Sequence, residues 1–197
     1  MADFERAFAK TMGHEGGYVY DPDDAGGETY KGISRRFHPL WRGWEIIERI
    51  KKLNEGRNGF KTKLDINHDL QKQVKEFYRE HYWDRFQGDL IPSQEIADEL
   101  FDTSVNMGTH RAVIFLQQAL NLLNRNQKNY PDIIEDGGFG PQTLKTFEIY
   151  LKLENNDHSS LLIIINTLQG MHYVKYMRDH PEQEKYARGW FKRVTES

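Results

Sequence analysis

The sequence contains no cysteine, which excludes disulfides, thiolate catalysis and cysteine-ligated zinc together. It leaves the compartment open, because a chain without thiols suits oxidising and reducing surroundings alike. A basic excess is missing as well: 27 Lys and Arg stand against 30 Asp and Glu, a formal net charge of -3. Proteins that wrap nucleic acid or coat anionic membranes lean on positive charge, so no nucleic-acid partner is expected. Long apolar runs are also absent. The longest aliphatic stretch, Leu161 to Ile165, falls far short of the ~20 residues a membrane-spanning helix needs, so no membrane insertion is expected. The opening residues Met1-Ala2-Asp3-Phe4-Glu5-Arg6 carry acids where a secretory signal has a basic and then an apolar stretch, so no signal peptide is read there.

What is present suffices for a buried core. The chain has 197 residues, 38% hydrophobic and 13% aromatic, with a mean hydropathy of -0.80 that marks a polar surface. Asp3 is a plausible cap for a first helix through Phe4, Ala7, Phe8, Thr11 and Met12, which Gly13 ends. Glycines then cluster between Gly16 and Gly32 around short aromatic and β-branched groups, a pattern that predicts a small hairpin or irregular loop. Helical spacing returns with Trp44, Ile47, Ile50 and Leu53, and a polar loop is expected to run to Asn67. Asn67 can cap a long helix whose apolar face runs from Leu70 to Tyr82. Ser93 and Thr109 read as caps of two further helices, and Pro141 as the first residue of another ending near Leu153. The last long helix, about 160 to 179, is apolar around much of its circumference over Leu161 to Met177 and reads as a buried central helix. Seven helices and one β element make the fold mainly α.

The informative segment is His14-Glu15-Gly16-Gly17-Tyr18. A carboxylate on the last helical turn, followed by two glycines, is held by a rigid element yet faces an opening, because glycine carries no side chain to cover it. A general acid at such a place must stay protonated near neutral pH, which requires desolvation by apolar neighbours. Phe8, Met12, Tyr18 and Tyr20 are near enough in sequence to supply it. Asp24 follows Glu15 by nine positions and Thr29 follows Asp24 by five, so a hairpin can return both toward Glu15. One acid to protonate a leaving oxygen, and a second carboxylate to orient water or attack, are the set that glycoside hydrolysis needs.

The run Glu15-Gly16-Gly17-Tyr18, then Asp21-Pro22-Asp23-Asp24-Ala25-Gly26-Gly27, Thr29 and Gly32-Ile33-Ser34 resembles the signature of glycoside hydrolase family 108, which holds bacterial and phage N-acetylmuramidases once called secretion activators. Tyr82-Trp83-Asp84, the stretch Phe101 to Gly108, and Gln117-Gln118-Ala119-Leu120 are similar to family positions. The stretch Asp136 to Thr143 and Gly189-Trp190-Phe191-Lys192-Arg193-Val194 resemble the predicted peptidoglycan-binding module that usually follows this catalytic domain. The resemblance implies a lysozyme-like helical fold with a small β-hairpin region near the active site, a catalytic region over 1–88 and a peptidoglycan-binding helical region over 89–197, packed as one globule. It places the catalytic acid on Glu15, a water-orienting base on Asp24 and a helper hydroxyl on Thr29. The implied reaction is cleavage of the β-1,4 bond between N-acetylmuramic acid and N-acetylglucosamine in peptidoglycan, without a cofactor. One departure is that Tyr30-Lys31 stands where the family commonly has Asn-Tyr.

Other readings weigh less. Asp21, Asp23 and Gly26 match the start of a calcium loop, but the twelfth position is Gly32, so the bidentate ligand is missing. The eight histidines show no metal-ligand spacing. Tyr18 and Tyr20 are candidates for stacking on sugar rings and Asn106 for binding substrate amides, whereas Trp44 and Trp83, at helical spacing, are expected in the core. Asp136 to Gly140 also fits an ordinary turn before a helix. A lytic transglycosylase and a non-catalytic wall-binding or secretion-regulating protein are the alternatives. The chain is expected to act as a monomer on the cell wall, periplasmic or extracellular, reached through a holin or an export system. At this net charge, binding is expected to rest on cleft contacts rather than global attraction to an anionic polymer.

Overall fold

Asp3 opens the first helix by accepting a hydrogen bond from the Arg6 amide at 3.1 Å, which satisfies one of the donors a helix start leaves unpaired. In this computed structural model, which describes residues 1–12, 17–20, 27–54 and 59–196, that helix is α1, Phe4–Met12. Strands β1 (Tyr18–Tyr20), β2 (Glu28–Tyr30) and β3 (Ile33–Ser34) follow as one antiparallel sheet in the order β1-β2-β3. Eight helices complete the described chain: α2 (Gly43–Leu53), α3 (Phe60–Asp65), α4 (His68–Tyr78), α5 (Gln94–Met107), α6 (Thr109–Leu123), α7 (Pro141–Leu153), α8 (Ser159–Asp179) and α9 (Ala187–Glu196). The fold is mainly α. Among the described residues no helix is long and apolar enough to cross a membrane.

The chain divides into two compact units, Thr11–His81 and Met1–Lys10 with Tyr82–Ser197. In the first, the sheet and helices α2 to α4 bury Tyr30, Ile33, Trp44, Ile47, Leu64, Leu70 and Val74. A two-residue turn joins β2 to β3, with positive φ at both Lys31 (44°) and Gly32 (78°), the backbone twist that tight hairpins favour. Asn67 caps α4 by accepting from the Leu70 amide at 2.8 Å. Two departures from periodicity stand out. The expected polar loop before Asn67 contains α3, whose one buried residue, Leu64, is too short a pattern to read as a period. The expected long helix also stops at Tyr78: Arg79–Trp83 is a π-turn, followed by 3₁₀ turns at Asp84–Phe86 and Gly88–Leu90.

In the second unit Phe4, Trp83, Phe86, Ile96, Leu100 and Phe101 form an aromatic-rich core, extended by Ala112, Val113, Leu116 and Leu120 of α6. Ser93 caps α5 through the Ile96 amide. Thr109 is the first residue of α6 rather than its cap. The cap is Gly108, at φ 86°, a conformation that a threonine avoids. Pro141 begins α7 as expected. The expectation of a buried central helix fails for α8, which buries a single stripe of Leu161, Ile165, Gln169 and Tyr173. Ile163 and Met171, on its other side, are 64% and 62% exposed. Between α5 and α8 lies a polar layer that sequence reading missed: buried Thr103 donates to Glu99 at 3.0 Å, and Gln169 donates to Thr103 at 2.8 Å and to Glu99 at 3.2 Å.

Candidate functional site

Glu15 and Asp24, with His14 and the aspartates of the rejected calcium loop, lie outside the described residues. Thr29 is described, at the centre of β2. Its cross-strand partners are Val19 and Ser34, while Tyr18 pairs with Tyr30 and Tyr20 with Glu28. Paired residues share a face of an antiparallel sheet and successive residues alternate, so Thr29 shares its face with Val19 and Ser34. Tyr18 and Tyr20 stand on the opposite face with Glu28 and Tyr30. The sheet therefore does not bring the candidate helper hydroxyl and the two candidate stacking tyrosines to one surface.

The two tyrosines also differ from each other. Tyr20 is 65% exposed, an open apolar face. Tyr18 is half-buried and committed: its ring meets Phe60 edge-on at 5.1 Å, and its hydroxyl donates to Glu28 at 2.8 Å. Burial pushes the Tyr18 phenol above its ordinary value. Asn106, near the end of α5, belongs to the other unit. Its amide donates to the Asp102 carbonyl at 2.7 Å and carboxylate at 3.2 Å, and the same carboxylate pairs with Arg193 at 3.2 Å.

Sequence reading overlooked Glu28, whose side chain is only 9% exposed. It accepts hydrogen bonds from Tyr18, Lys51 and Arg35, the last at 2.6 Å, and Arg35 also binds Glu48 at 2.6 Å. Burial alone would raise the Glu28 carboxyl, but the donors Lys51, Arg35 and Tyr18 outweigh it and hold the group below its ordinary value. Glu28 is thus an ion that ties the sheet to α2, not a proton donor. A carboxyl depressed on folding adds stability above its unfolded value near 4.5, and that stability is lost as pH falls through the lower folded value. Glu28→Gln is expected to cost about 1–3 kcal/mol at pH 7. Its melting-temperature gap to the wild type should close below pH 4.5, and a gap constant from pH 7 to pH 3 would refute this role.

The departure at Tyr30-Lys31 is built into the same unit. The Tyr30 hydroxyl accepts from Gln71 at 2.9 Å and donates to Asp65 at 3.3 Å, while the Lys31 ammonium donates to Gln71 at 2.7 Å. Burial pushes the Tyr30 phenol up to about 12. Both residues that replace the common pair are therefore spent on fastening the sheet to α4.

In the C-terminal half, two motifs some twenty residues apart in sequence meet. Gln117 of α6 donates to Asp136 at 2.9 Å and accepts from the Gly137 amide at 2.9 Å, and Asp136 accepts from the Gly138 amide at 2.9 Å. Gly137 has φ 68°, and a Cβ there would collide with the His110 ring. The Asp-Gly-Gly turn is thus a clamp around a buried glutamine. Trp190 of α9 stacks on Tyr173 at 4.8 Å. Among the described residues no cluster of three or more His, Asp or Glu is arranged to hold a metal.

Residues 8–108, which contain the Glu15 motif, the sheet and α2 to α5, match the glycosyl hydrolase 108 family. The chain belongs to glycosyl hydrolase family 108. Residues 111–195 match a predicted peptidoglycan domain, the range that holds the Gln117 clamp and Trp190. A solved structure, that of SagA from Brucella abortus, superposes with a TM-score of 0.60 at 22% identity, over 98% of this chain and 89% of that one. At that identity the likeness speaks for the fold. No curated protein matches the chain. This family 108 member is a glycoside hydrolase, and its two matched regions make peptidoglycan the polymer on which it acts.

Proposed function

We propose that the chain is an N-acetylmuramidase that hydrolyses the β-1,4 bond between N-acetylmuramic acid and N-acetylglucosamine. The observation that carries this reading is the family match over 8–108, a range that contains Glu15, Asp24 and Thr29. Glu15 donates its proton to the leaving oxygen, Asp24 orients water on the opposite face of the sugar, and the Thr29 hydroxyl assists that water. Such a pair inverts the anomeric centre and works with carboxyls roughly 6.5–9.5 Å apart, whereas a gap near ~5 Å belongs to retention. Tyr20 serves the substrate through a sugar-facing ring. The C-terminal half holds the enzyme on the wall.

Product chemistry tests the reading. Purified peptidoglycan should yield muropeptides ending in reducing N-acetylmuramic acid, each carrying the mass of one added water. Fragments ending in 1,6-anhydro-muramic acid would make the protein a lytic transglycosylase. Sedimentation with the wall without release of reducing ends would make it a binding protein.

A further inference from the structure

In the unit Thr11–His81 a pocket of about 600 Å³ opens between the segment Phe37 to Arg42 and the C-terminal half of α4 with its π-turn. That volume lies in the range of small-ligand sites. Its walls are rings held in place by the protein. His81 stacks on buried Phe77 at 4.1 Å, and His38 meets both rings edge-on, at 4.7 and 5.4 Å. The indole N–H of Trp41 donates to the Gln73 carbonyl at 3.3 Å, and its ring meets Trp44 edge-on at 5.2 Å. The same ring lies so close over Gly43 that an added Cβ would collide with it. Half-exposed aromatic side chains fixed this thoroughly lose little entropy when a ligand lands on them.

Two charges of opposite sign line the same opening, Arg42 and Glu80, both exposed. Among the described residues neither side chain makes a hydrogen bond or ion pair, while the neighbouring Glu76 is taken by Gln73 at 2.7 Å. The His81 Nδ1–H donates to the Phe77 carbonyl at 2.9 Å, so its Nε2 is the nitrogen left for a ligand. A guanidinium for a carboxylate, a carboxylate for an ammonium, and ring faces lining the same pocket suit an aliphatic zwitterion. A neutral sugar needs neither formal charge.

We infer that this pocket binds the peptide stem of peptidoglycan, with Arg42 on a stem carboxylate, Glu80 on the diamino-acid ammonium, and Trp41 and His81 against the aliphatic chain. The inference rests on peptidoglycan being the substrate polymer, whose muramic acids carry short peptides rich in free carboxylates and amines. It adds a determinant that reads the stem to one that cuts the glycan.

Titration of the full chain with the tripeptide L-alanyl-γ-D-glutamyl-diaminopimelate, and separately with chitotetraose, tests it by calorimetry and by the Trp41 indole NMR signal. The tripeptide should bind and move that signal. Arg42→Gln and Glu80→Gln should each weaken it roughly ten-fold or more, as expected on losing one charge-assisted hydrogen bond. Both sites are exposed, so the fold should tolerate either change. Tripeptide affinity equal in wild type and both variants overturns the inference, as does a Trp41 signal that answers chitotetraose alone. Failure of the hydrolase reading is seen separately, as wild-type protein that releases no reducing ends.

Discussion

Glu15→Gln is expected to lower the rate of peptidoglycan clearing by ~10²–10⁴-fold, the usual worth of a positioned general acid. Glutamine keeps the size of the side chain and a hydrogen-bond donor, but has no proton to give a leaving alcohol. The uncatalysed departure of that alcohol as an alkoxide is what the acid avoids. Wall binding should be unaffected, since the region that matches the peptidoglycan domain begins at residue 111. Turbidity loss of purified peptidoglycan, with co-sedimentation as the binding control, reads both quantities from one preparation. Equal clearing by wild type and Glu15→Gln would remove the mechanism, whatever the products proved to be.

What could be read ahead of the structure followed from local chemistry. Asn67 and Ser93 stand where a side-chain oxygen must meet an unpaired helix amide, and both do so. Helical spacing places Trp44 and Trp83 inside, and they are 2% and 0% exposed. The glycines and turn residues between Tyr18 and Ile33 predict a small hairpin or an irregular loop, and β1 and β2 form the hairpin. The third strand is not legible there, because two residues are too few for an alternating pattern. The π-turn at Arg79–Trp83 was hidden for a related reason: His81 and Tyr82 continue the apolar run, while the extra residue in that turn ends the α-helical register.

The partners of Glu28 were the hardest to foresee. Glu48 and Lys51 lie three apart on α2, a spacing any reader can find, but joining them to Glu28 and Arg35 requires the strand register and the packing of sheet on helix. The same holds for Gln117 with Asp136, where family resemblance marked both stretches and only the fold joined them. For α8 the failure was of another kind. Hydrophobicity over much of a helix's circumference says that water is unwelcome there, but not that the chain supplies a cover. Ile163 and Met171 remain exposed among the described residues.

Trp83→Ala is expected to cost about 3–5 kcal/mol, the range for truncating a fully buried aromatic side chain. The indole is 0% exposed and sits within 5.9 Å, centroid to centroid, of Phe4, Phe86 and Phe101. Its N–H donates to Asp89 at 2.9 Å. It is packed so closely on Gly88 that a Cβ there would strike the ring. Collapse into the space is hard, because Phe4 comes from α1, Phe101 from α5 and Phe86 from a 3₁₀ turn. None can move without unpacking its own element. Set against the ~5–15 kcal/mol by which a domain is stable, the loss is a large fraction of the whole. Urea unfolding followed by helical circular dichroism measures it, with Ile134→Ser, at an 80% exposed position, as a reference expected within about 0.5 kcal/mol of wild type. A Trp83→Ala protein less than about 1 kcal/mol below that reference would mean that the aromatic cluster does not hold this unit together, and that the buried α5–α6 interface carries the stability instead.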